Sequence, residues 1–300
     1  MPEDQILTSW KIWTLAVRPK TLPAAGAPVL LGTALAYWDG EMVFVAALVS
    51  LLCALLLQIG SNLANDVFDF QRGADAGDRQ GPVRVTQTGL LSPGQVKAGM
   101  WVVFAAAGLC GVYLSWVSSW YLILIGALAI LAALGYSGGP LPFGYVGLGD
   151  VFVLIFFGLV AVGGTYYVQA KSLSLGVAAM SLAMGALVTN ILVVNNLRDI
   201  PQDKEAGKRT LAVVLGPKAT RVQYLVSLGM AYGVPVWLVV WGKLPEGAVL
   251  VLLSLLYAGK LVGQIYRWEG KALNQSLTGT GRLALLYALL FALGGSLFPG

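Results

Sequence analysis

The sequence predicts an all-α, polytopic membrane protein in which nine transmembrane helices surround a central cavity and form one domain, residues 1–300. Hydrophobic residues make up 57% of the chain and charged residues only 11%, and the mean hydropathy is +0.77. A soluble domain carries roughly 25% charged residues. The charges are therefore too few to cover a water-facing surface, which argues against a soluble enzyme, a disordered chain and a nucleic-acid-binding protein.

Nine apolar segments approach the length that crosses a bilayer, which takes about 20 mainly apolar residues in a helix. Several of them contain proline, such as Pro23, Pro28 and Pro235. Membrane helices tolerate proline because neighbouring helices can satisfy the freed backbone groups. The nine predicted spans are 22–38, 42–63, 96–116, 120–135, 151–168, 173–197, 222–241, 247–266 and 283–298.

The basic residues segregate strongly when nine spans are assumed. The N-terminus and the loops after spans 2, 4, 6 and 8 hold 16 Lys and Arg residues, whereas the opposite side holds only Lys171 and Lys243. The remaining lysine, Lys260, falls inside span 8. Since cytoplasmic loops are enriched in Lys and Arg, we expect the N-terminus and the first set of loops in the cytoplasm. A miscounted span would scramble this segregation.

Two residue types limit the chemistry. The chain has no histidine, which excludes His-based triads and His metal sites. Its two cysteines, Cys53 and Cys110, both lie in apolar runs and cannot form a zinc cluster. Acid–base chemistry must therefore fall to groups such as carboxylates or tyrosine, and a metal ion would have to be held by oxygen ligands.

Half of the 14 acidic residues fall in two segments on the predicted cytoplasmic side, one after span 2 and one after span 6. Asn62, Asp66 and Asp69 are spaced i, i+4, i+7. In the second segment, Asn195, Asp199 and Asp203 are spaced i, i+4, i+8. On a helix each set lies along one face, although Pro201 should break or bend the second helix. The two ladders are four spans apart, which suggests a pseudo-repeat of spans 1–4 and 5–8 with a ninth span added.

Carboxylates gathered at a membrane boundary need positive charge nearby. Mg²⁺ prefers oxygen ligands and is typically held by one or two carboxylates together with substrate phosphates. Arginine and lysine in the same segments suit the remaining phosphate oxygens. The pattern predicts a magnesium–diphosphate site, against the plainer interpretation of solvated loop charges that only set topology.

These motifs resemble those of the UbiA-type intramembrane prenyltransferases. The first motif of that family, Asn-Asp-x-x-Asp, matches Asn65 to Asp69, with Asp75 following; the second, Asp-x-x-x-Asp, matches Asp199 to Asp203. One departure is Gly73, where many members place a third Asp. Within the superfamily, the chain is most similar to the branch that prenylates 1,4-dihydroxy-2-naphthoate in menaquinone synthesis. The stretches that carry this similarity are 18–23, 78–84, 136–140, 147–150, 195–210 and 273–274.

The resemblance implies transfer of a polyprenyl chain from polyprenyl diphosphate to an aromatic acid in a prokaryotic plasma membrane, with both Asp motifs on the cytoplasmic side. Catalysis and Mg²⁺ binding would then fall to Asp66, Asp69, Asp199 and Asp203, with Asp75 as a further possible metal ligand. The expected diphosphate-binding residues are Asn62, Asn195, Arg79, Arg84, Lys204 and Arg209. The expected acceptor-binding residues are Arg18, Lys20, Tyr136 and Asp150.

Some of these residues have plainer interpretations. Arg18 and Lys20 also suit an ordinary basic anchor at a helix end, and Asp150 suits a helix N-cap. Tyr136 and Phe68 are candidates for shielding an allylic cation by cation–π attraction, or for helix packing alone.

Three functional alternatives remain open at this stage. The acceptor could be 4-hydroxybenzoate, homogentisate or haem, or the donor could be phytyl diphosphate. From another class, the chain could be a cation transporter with acidic gates, but transport favours acids near mid-bilayer. Here every Asp and Glu falls at a predicted boundary or in a loop.

Overall fold

A computed structural model describes residues 8–73 and 80–297 of the chain, and within these ranges the secondary structure is helical with no strand. Helix α1 is short and precedes the spans. Helices α2–α10 correspond one to one with the nine predicted spans. The helices are α1 Ser9–Val17, α2 Leu22–Trp38, α3 Phe44–Gln71, α4 Pro93–Val117, α5 Tyr121–Gly135, α6 Gly149–Ala170, α7 Leu175–Glu205, α8 Leu211–Val240, α9 Glu246–Arg267 and α10 Gly270–Leu297.

The prediction of a polytopic, all-α membrane protein is confirmed. Seven of the described helices are long and apolar enough to cross a membrane; α2 and α5, with 17 and 15 residues, are the shorter spans 1 and 4. Large apolar side chains point outward along the helices, for example Val102, Leu109 and Leu128. Such a surface is stable in lipid and would aggregate in water.

The two helices that carry the acidic motifs extend beyond their predicted ends. Helix α3 continues past residue 63 to Gln71, and α7 continues past residue 197 to Glu205. The expected break at Pro201 does not occur, because α7 includes that proline as a helical residue. Proline removes one backbone hydrogen bond, and the buried Arg198 and Asp203 on either side hold this end of the helix against the protein. Both Asp motifs therefore lie on regular helix.

Helix α7 is the most buried of the seven long apolar helices among the described residues, with 72% of its apolar segment inside the protein. It approaches α6 closely through two glycines: a Cβ at Gly158 would lie 2.6 Å from the Ser181 carbonyl oxygen, and one at Gly185 would lie 2.8 Å from that of Leu154. Small residues allow such close packing between membrane helices. This contact fixes α7, and with it the second motif, against α6. The pseudo-repeat itself remains a prediction.

Candidate active site

The two acidic motifs face a common cavity of about 500 Å³. Helix α3 contributes Asn62, Asn65 and Asp69 to its lining, and α7 contributes residues 195, 199 and 203. The cavity-facing residues of α3 are spaced at three and four positions, as one face of a helix requires. The described part of the loop between α3 and α4 and the loop at 136–148 contribute further polar residues.

Lys208 connects the two motifs. Its Nζ atom lies 4.0 Å from Asp69 Oδ2 and 4.0 Å from Asp203 Oδ1, so the two carboxylates are no farther apart than twice this distance. The position of Lys208 follows from the end of α7: Gly207 has φ +70°, and the Lys208 N–H donates to the Asp203 carbonyl at 2.8 Å. A positive φ favours glycine, and this turn brings the lysine back beside the last Asp of the motif.

Asp69 is 3% exposed and has two hydrogen-bond donors as partners, in addition to the nearby Lys208 ammonium group. Arg84 donates to Oδ2 at 2.5 Å, and the Tyr145 hydroxyl donates to Oδ1 at 2.6 Å. Burial and the neighbouring Asp69 carboxylate raise the pKa of Tyr145, which keeps its phenol a hydrogen-bond donor. The Lys208 ammonium also lies 4.4 Å from the Tyr145 ring centroid. These contacts fix the orientation of the Asp69 carboxylate.

Asp199 is held by a buried arginine. The Arg198 guanidinium donates to Asp199 Oδ1 at 2.8 Å and to Oδ2 at 2.6 Å, and its side chain is only 1% exposed. The same guanidinium donates to Asn195 Oδ1 and to Asn274 Oδ1 on α10. A bidentate arginine–carboxylate pair is strong and geometrically specific. Arg198 therefore ties the second motif to the last helix.

Asp66, in contrast, is turned away from the cavity lining. It is 1% exposed and accepts hydrogen bonds from the Val85 N–H at 3.3 Å and the Thr86 N–H at 3.1 Å. The Thr86 hydroxyl and the Arg18 guanidinium also donate to it. Asp66 thus anchors the loop that follows α3, and that loop carries Arg84 into the cavity.

A second, apolar groove of about 210 Å³ adjoins the polar cavity. It is lined by α2–α6, mostly by Ala, Gly, Val, Leu and Phe side chains. Among the described residues, five line both spaces: Gln58, Ser61, Tyr136, Val153 and Phe157. A charged chamber joined to an apolar groove suits a ligand with a charged head and a hydrocarbon tail.

Residues 25–286 match the model of the UbiA prenyltransferase family. The chain belongs to this family.

Two curated proteins and one solved structure match this UbiA family member over almost its full length. The 1,4-dihydroxy-2-naphthoate octaprenyltransferase of Escherichia coli K12 is 40% identical over 98% of this chain and 97% of its own length. The enzyme of the same name from Haemophilus influenzae is 38% identical over 95% of each chain. A UbiA homolog from Archaeoglobus fulgidus, solved bound to GPP and Mg²⁺, superposes with a TM-score of 0.68 at 18% identity and covers 95% of this chain and 99% of its own. At that identity the superposition establishes the fold.

Only some of the residues expected to bind the diphosphate or the acceptor line the polar cavity. Arg18, Arg84 and Tyr136 line the polar cavity with the motif residues, whereas Lys20, Lys204 and Arg209 are exposed and outside its lining. Asp75 and Arg79 lie outside the described residues.

Three other expected residues have partners within the protein. Asp150 is the second residue of α6 rather than its N-cap and accepts a hydrogen bond from Gln223 at 2.8 Å. Phe68 packs in an apolar cluster with α4 and against Gly138, away from the cavity lining. The Asn62 amide group donates to the Val17 carbonyl and the Thr21 hydroxyl, both at 2.9 Å. These contacts give each side chain a structural part in the fold.

Sequence reasoning gave no role in the site to Asn65, Tyr145 or Arg198, although it included Lys208 among the basic residues that suit a phosphate group. Asn65 belongs to the first motif and is four residues before Asp69, so helical phase could have assigned it to the cavity. Arg198 stands next to Asp199, which was singled out. No signal pointed to Tyr145, because only the fold brings the loop after α5 to the end of α3.

The donor set fits a magnesium ion that shares its ligands with a diphosphate. Among residues 8–73 and 80–297, no three acidic or other metal-binding side chains come close enough to hold an ion on their own. Mg²⁺ is usually held by only one or two carboxylates, with water and phosphate oxygens completing its shell. Asp69, Asp199 and Asp203 provide such oxygens around one chamber.

Proposed function

We propose that the protein transfers a polyprenyl chain from polyprenyl diphosphate to 1,4-dihydroxy-2-naphthoate, with loss of CO₂. The observation that carries this proposal is the continuity between the polar chamber, where both Asp motifs meet, and the apolar groove among α2–α6. The relatives of this chain that carry the name of this activity match almost its full length.

The polar chamber would hold the diphosphate. Asp69, Asp199 and Asp203 would supply carboxylate ligands for Mg²⁺, and the bound ion would act as a Lewis acid toward the leaving diphosphate. Arg84 and Lys208 line the same chamber and would donate to the remaining phosphate oxygens. Asn65 presents its side chain on the same face of α3, where Ser137 fixes its amide oxygen at 2.8 Å.

The groove would hold the hydrocarbon tail, which is as apolar as the lipid around the protein. Its junction with the chamber is where the C1–O bond of the donor must lie, because that bond joins head to tail. As this bond breaks, the diphosphate leaves with the electron pair, the acceptor ring forms the new C–C bond, and its carboxyl group departs as CO₂. The Tyr136 ring at the junction excludes water from the allylic carbon and offers an aromatic face to positive charge.

The acceptor carboxylate would bind at Arg18, which lines the chamber directly after α1. Arg18 has φ +55° between α1 and α2, and its guanidinium lies 3.4 Å from Asp66 Oδ2. We place this chamber on the cytoplasmic side of a prokaryotic plasma membrane, because the basic residues concentrate in the loops at that end.

One assay tests the proposed function. Membranes that contain the protein are incubated with labelled polyprenyl diphosphate and Mg²⁺. Each incubation contains one acceptor: 1,4-dihydroxy-2-naphthoate, 4-hydroxybenzoate or homogentisate. We expect labelled, decarboxylated product with the naphthoate alone. Product with another acid only, or with none, would refute the proposed acceptor.

A further inference from the structure

Gln58 stands at the point where the polar chamber and the apolar groove meet. It lies on α3 one turn before Asn62, and it lines both spaces. If the donor's head and tail occupy the two spaces as proposed above, the reacting carbon of the donor lies at this junction, and so does the ring that attacks it. Gln58 is therefore placed to contact the acceptor rather than the diphosphate.

The orientation of the Gln58 amide follows from its neighbours. The Val17 carbonyl can only accept, so the Asn62 group that faces it at 2.9 Å must be the NH₂. The Asn62 oxygen then faces Gln58, and the Gln58 NH₂ group donates to it at 3.3 Å. These two hydrogen bonds orient the amide so that the Gln58 oxygen, Oε1, points away from Asn62.

Gln58 Oε1 is buried and has no hydrogen-bond partner among the residues that the structure describes. A buried carbonyl oxygen without a donor is unfavourable. The prenyl diphosphate cannot satisfy it, because a hydrocarbon tail and an ionised diphosphate carry no N–H or O–H donor. A hydroxylated aromatic ring carries such donors.

We propose that Gln58 Oε1 accepts a hydrogen bond from a ring hydroxyl of the acceptor and thereby determines which aromatic ring is used and how it faces the donor. This inference rests on the proposed prenyl transfer and goes beyond it by assigning acceptor choice to one side chain. A site built to bond a substrate hydroxyl discriminates strongly against an analogue that lacks it.

The test combines a variant with two analogues. Gln58→Met keeps the length of the side chain and removes the acceptor oxygen. The analogues are 1-hydroxy-2-naphthoate and 4-hydroxy-2-naphthoate, each lacking one hydroxyl of the diol. Both are measured as competitive inhibitors of the diol, which requires no turnover of the analogue itself.

In the wild type, we expect one analogue to bind about tenfold more weakly than the other, as the loss of one hydrogen bond predicts. Gln58→Met should remove this difference and weaken binding of the diol by a similar factor, while the KM for polyprenyl diphosphate stays at its wild-type value. Gln202→Met is the matched control, because the Gln202 oxygen is likewise unpartnered among the described residues but lines the polar chamber alone. It should leave the ratio of the two inhibition constants unchanged.

Three outcomes would overturn the inference. Gln58→Met could weaken binding of the diol and both analogues equally, or it could change only the KM for the diphosphate. Gln202→Met could show the same loss of discrimination between the analogues. If Gln58→Met fails to fold, the wild-type comparison decides, and equal inhibition constants for the two analogues overturn it. Absence of wild-type turnover with the diol would instead refute the proposed function, so the two failures are distinguishable.

Discussion

Asp69 on α3 and Asp203 on the motif helix α7 are both 4.0 Å from one ammonium group, the Nζ of Lys208. The two aspartates are far apart in sequence and belong to different motifs. Their shared cation lies in the turn directly after the second motif, where Gly207 reverses the chain. This arrangement places a positive charge between two carboxylates at the site where a metal–diphosphate complex would bind.

Asp69→Asn should lower prenyl transfer by on the order of 100-fold, because it removes a charged oxygen ligand from the chamber while preserving side-chain shape. Initial rates over a range of Mg²⁺ concentrations provide the measurement. Asp66→Asn is the matched comparison: Asp66 lies outside the lining and anchors residues 85–86. It should lower the thermal unfolding midpoint more than it alters the dependence on Mg²⁺. A changed Mg²⁺ dependence in Asp66→Asn alone would contradict this assignment.

Lys208→Met should raise the KM for polyprenyl diphosphate by about tenfold, because it removes a charged donor to phosphate. Lys204→Met is the control from the same segment, since Lys204 is exposed and outside the chamber. It should leave the KM near the wild-type value. Equal effects of the two variants would show that overall charge, rather than position, determines binding.

Magnesium should bind together with diphosphate and only weakly without it, because no three acidic side chains of the described residues form a cluster. Calorimetric titration of the purified protein with Mg²⁺, in the presence and absence of inorganic pyrophosphate, tests this. EDTA should stop turnover, and added Mg²⁺ should restore it. Tight Mg²⁺ binding without pyrophosphate would contradict the expected ligand set.

Gly126→Phe should block the apolar groove. Gly126 lines it on α5, and no atom lies within 4 Å of a Cβ built there. The site is ten residues from Tyr136, or about 15 Å along the helix, so a short donor such as geranyl diphosphate should still react while long polyprenyl donors react slowly. Leu128→Phe on the same helix is the control, since Leu128 is 58% exposed on the outer surface. Unchanged use of long donors by Gly126→Phe would place the tail elsewhere.

Arg18→Ala should raise the KM for the aromatic acid by about tenfold, because a charged hydrogen bond to its carboxylate is lost. Lys20→Ala is the control: Lys20 is exposed just beyond Arg18 and does not line the chamber. Steady-state kinetics with the acid varied at saturating donor separates the two. If the KM for the acid is unaffected in Arg18→Ala, Arg18 does not bind the acceptor.

The sequence by itself determined the nine spans and the helical phase of both motifs. The spans follow from the thickness of the bilayer, which requires long apolar segments, and the phase follows from the 3.6-residue repeat, which puts Asn62 and Asp69 on one face of α3. It also indicated the chemistry, because aspartates beside basic residues suit a metal and a diphosphate.

Only the tertiary structure decided which aspartate of the first motif reaches the chamber. Asp66 and Asp69 look equivalent in sequence, yet the first holds the loop at 85–86 and the second faces the cavity, as helix packing dictates. The contacts of Tyr145 with Asp69, and of Arg198 with Asn274, join residues that are more than 70 positions apart. Such partners depend on how helices meet in space, which local periodicity cannot specify.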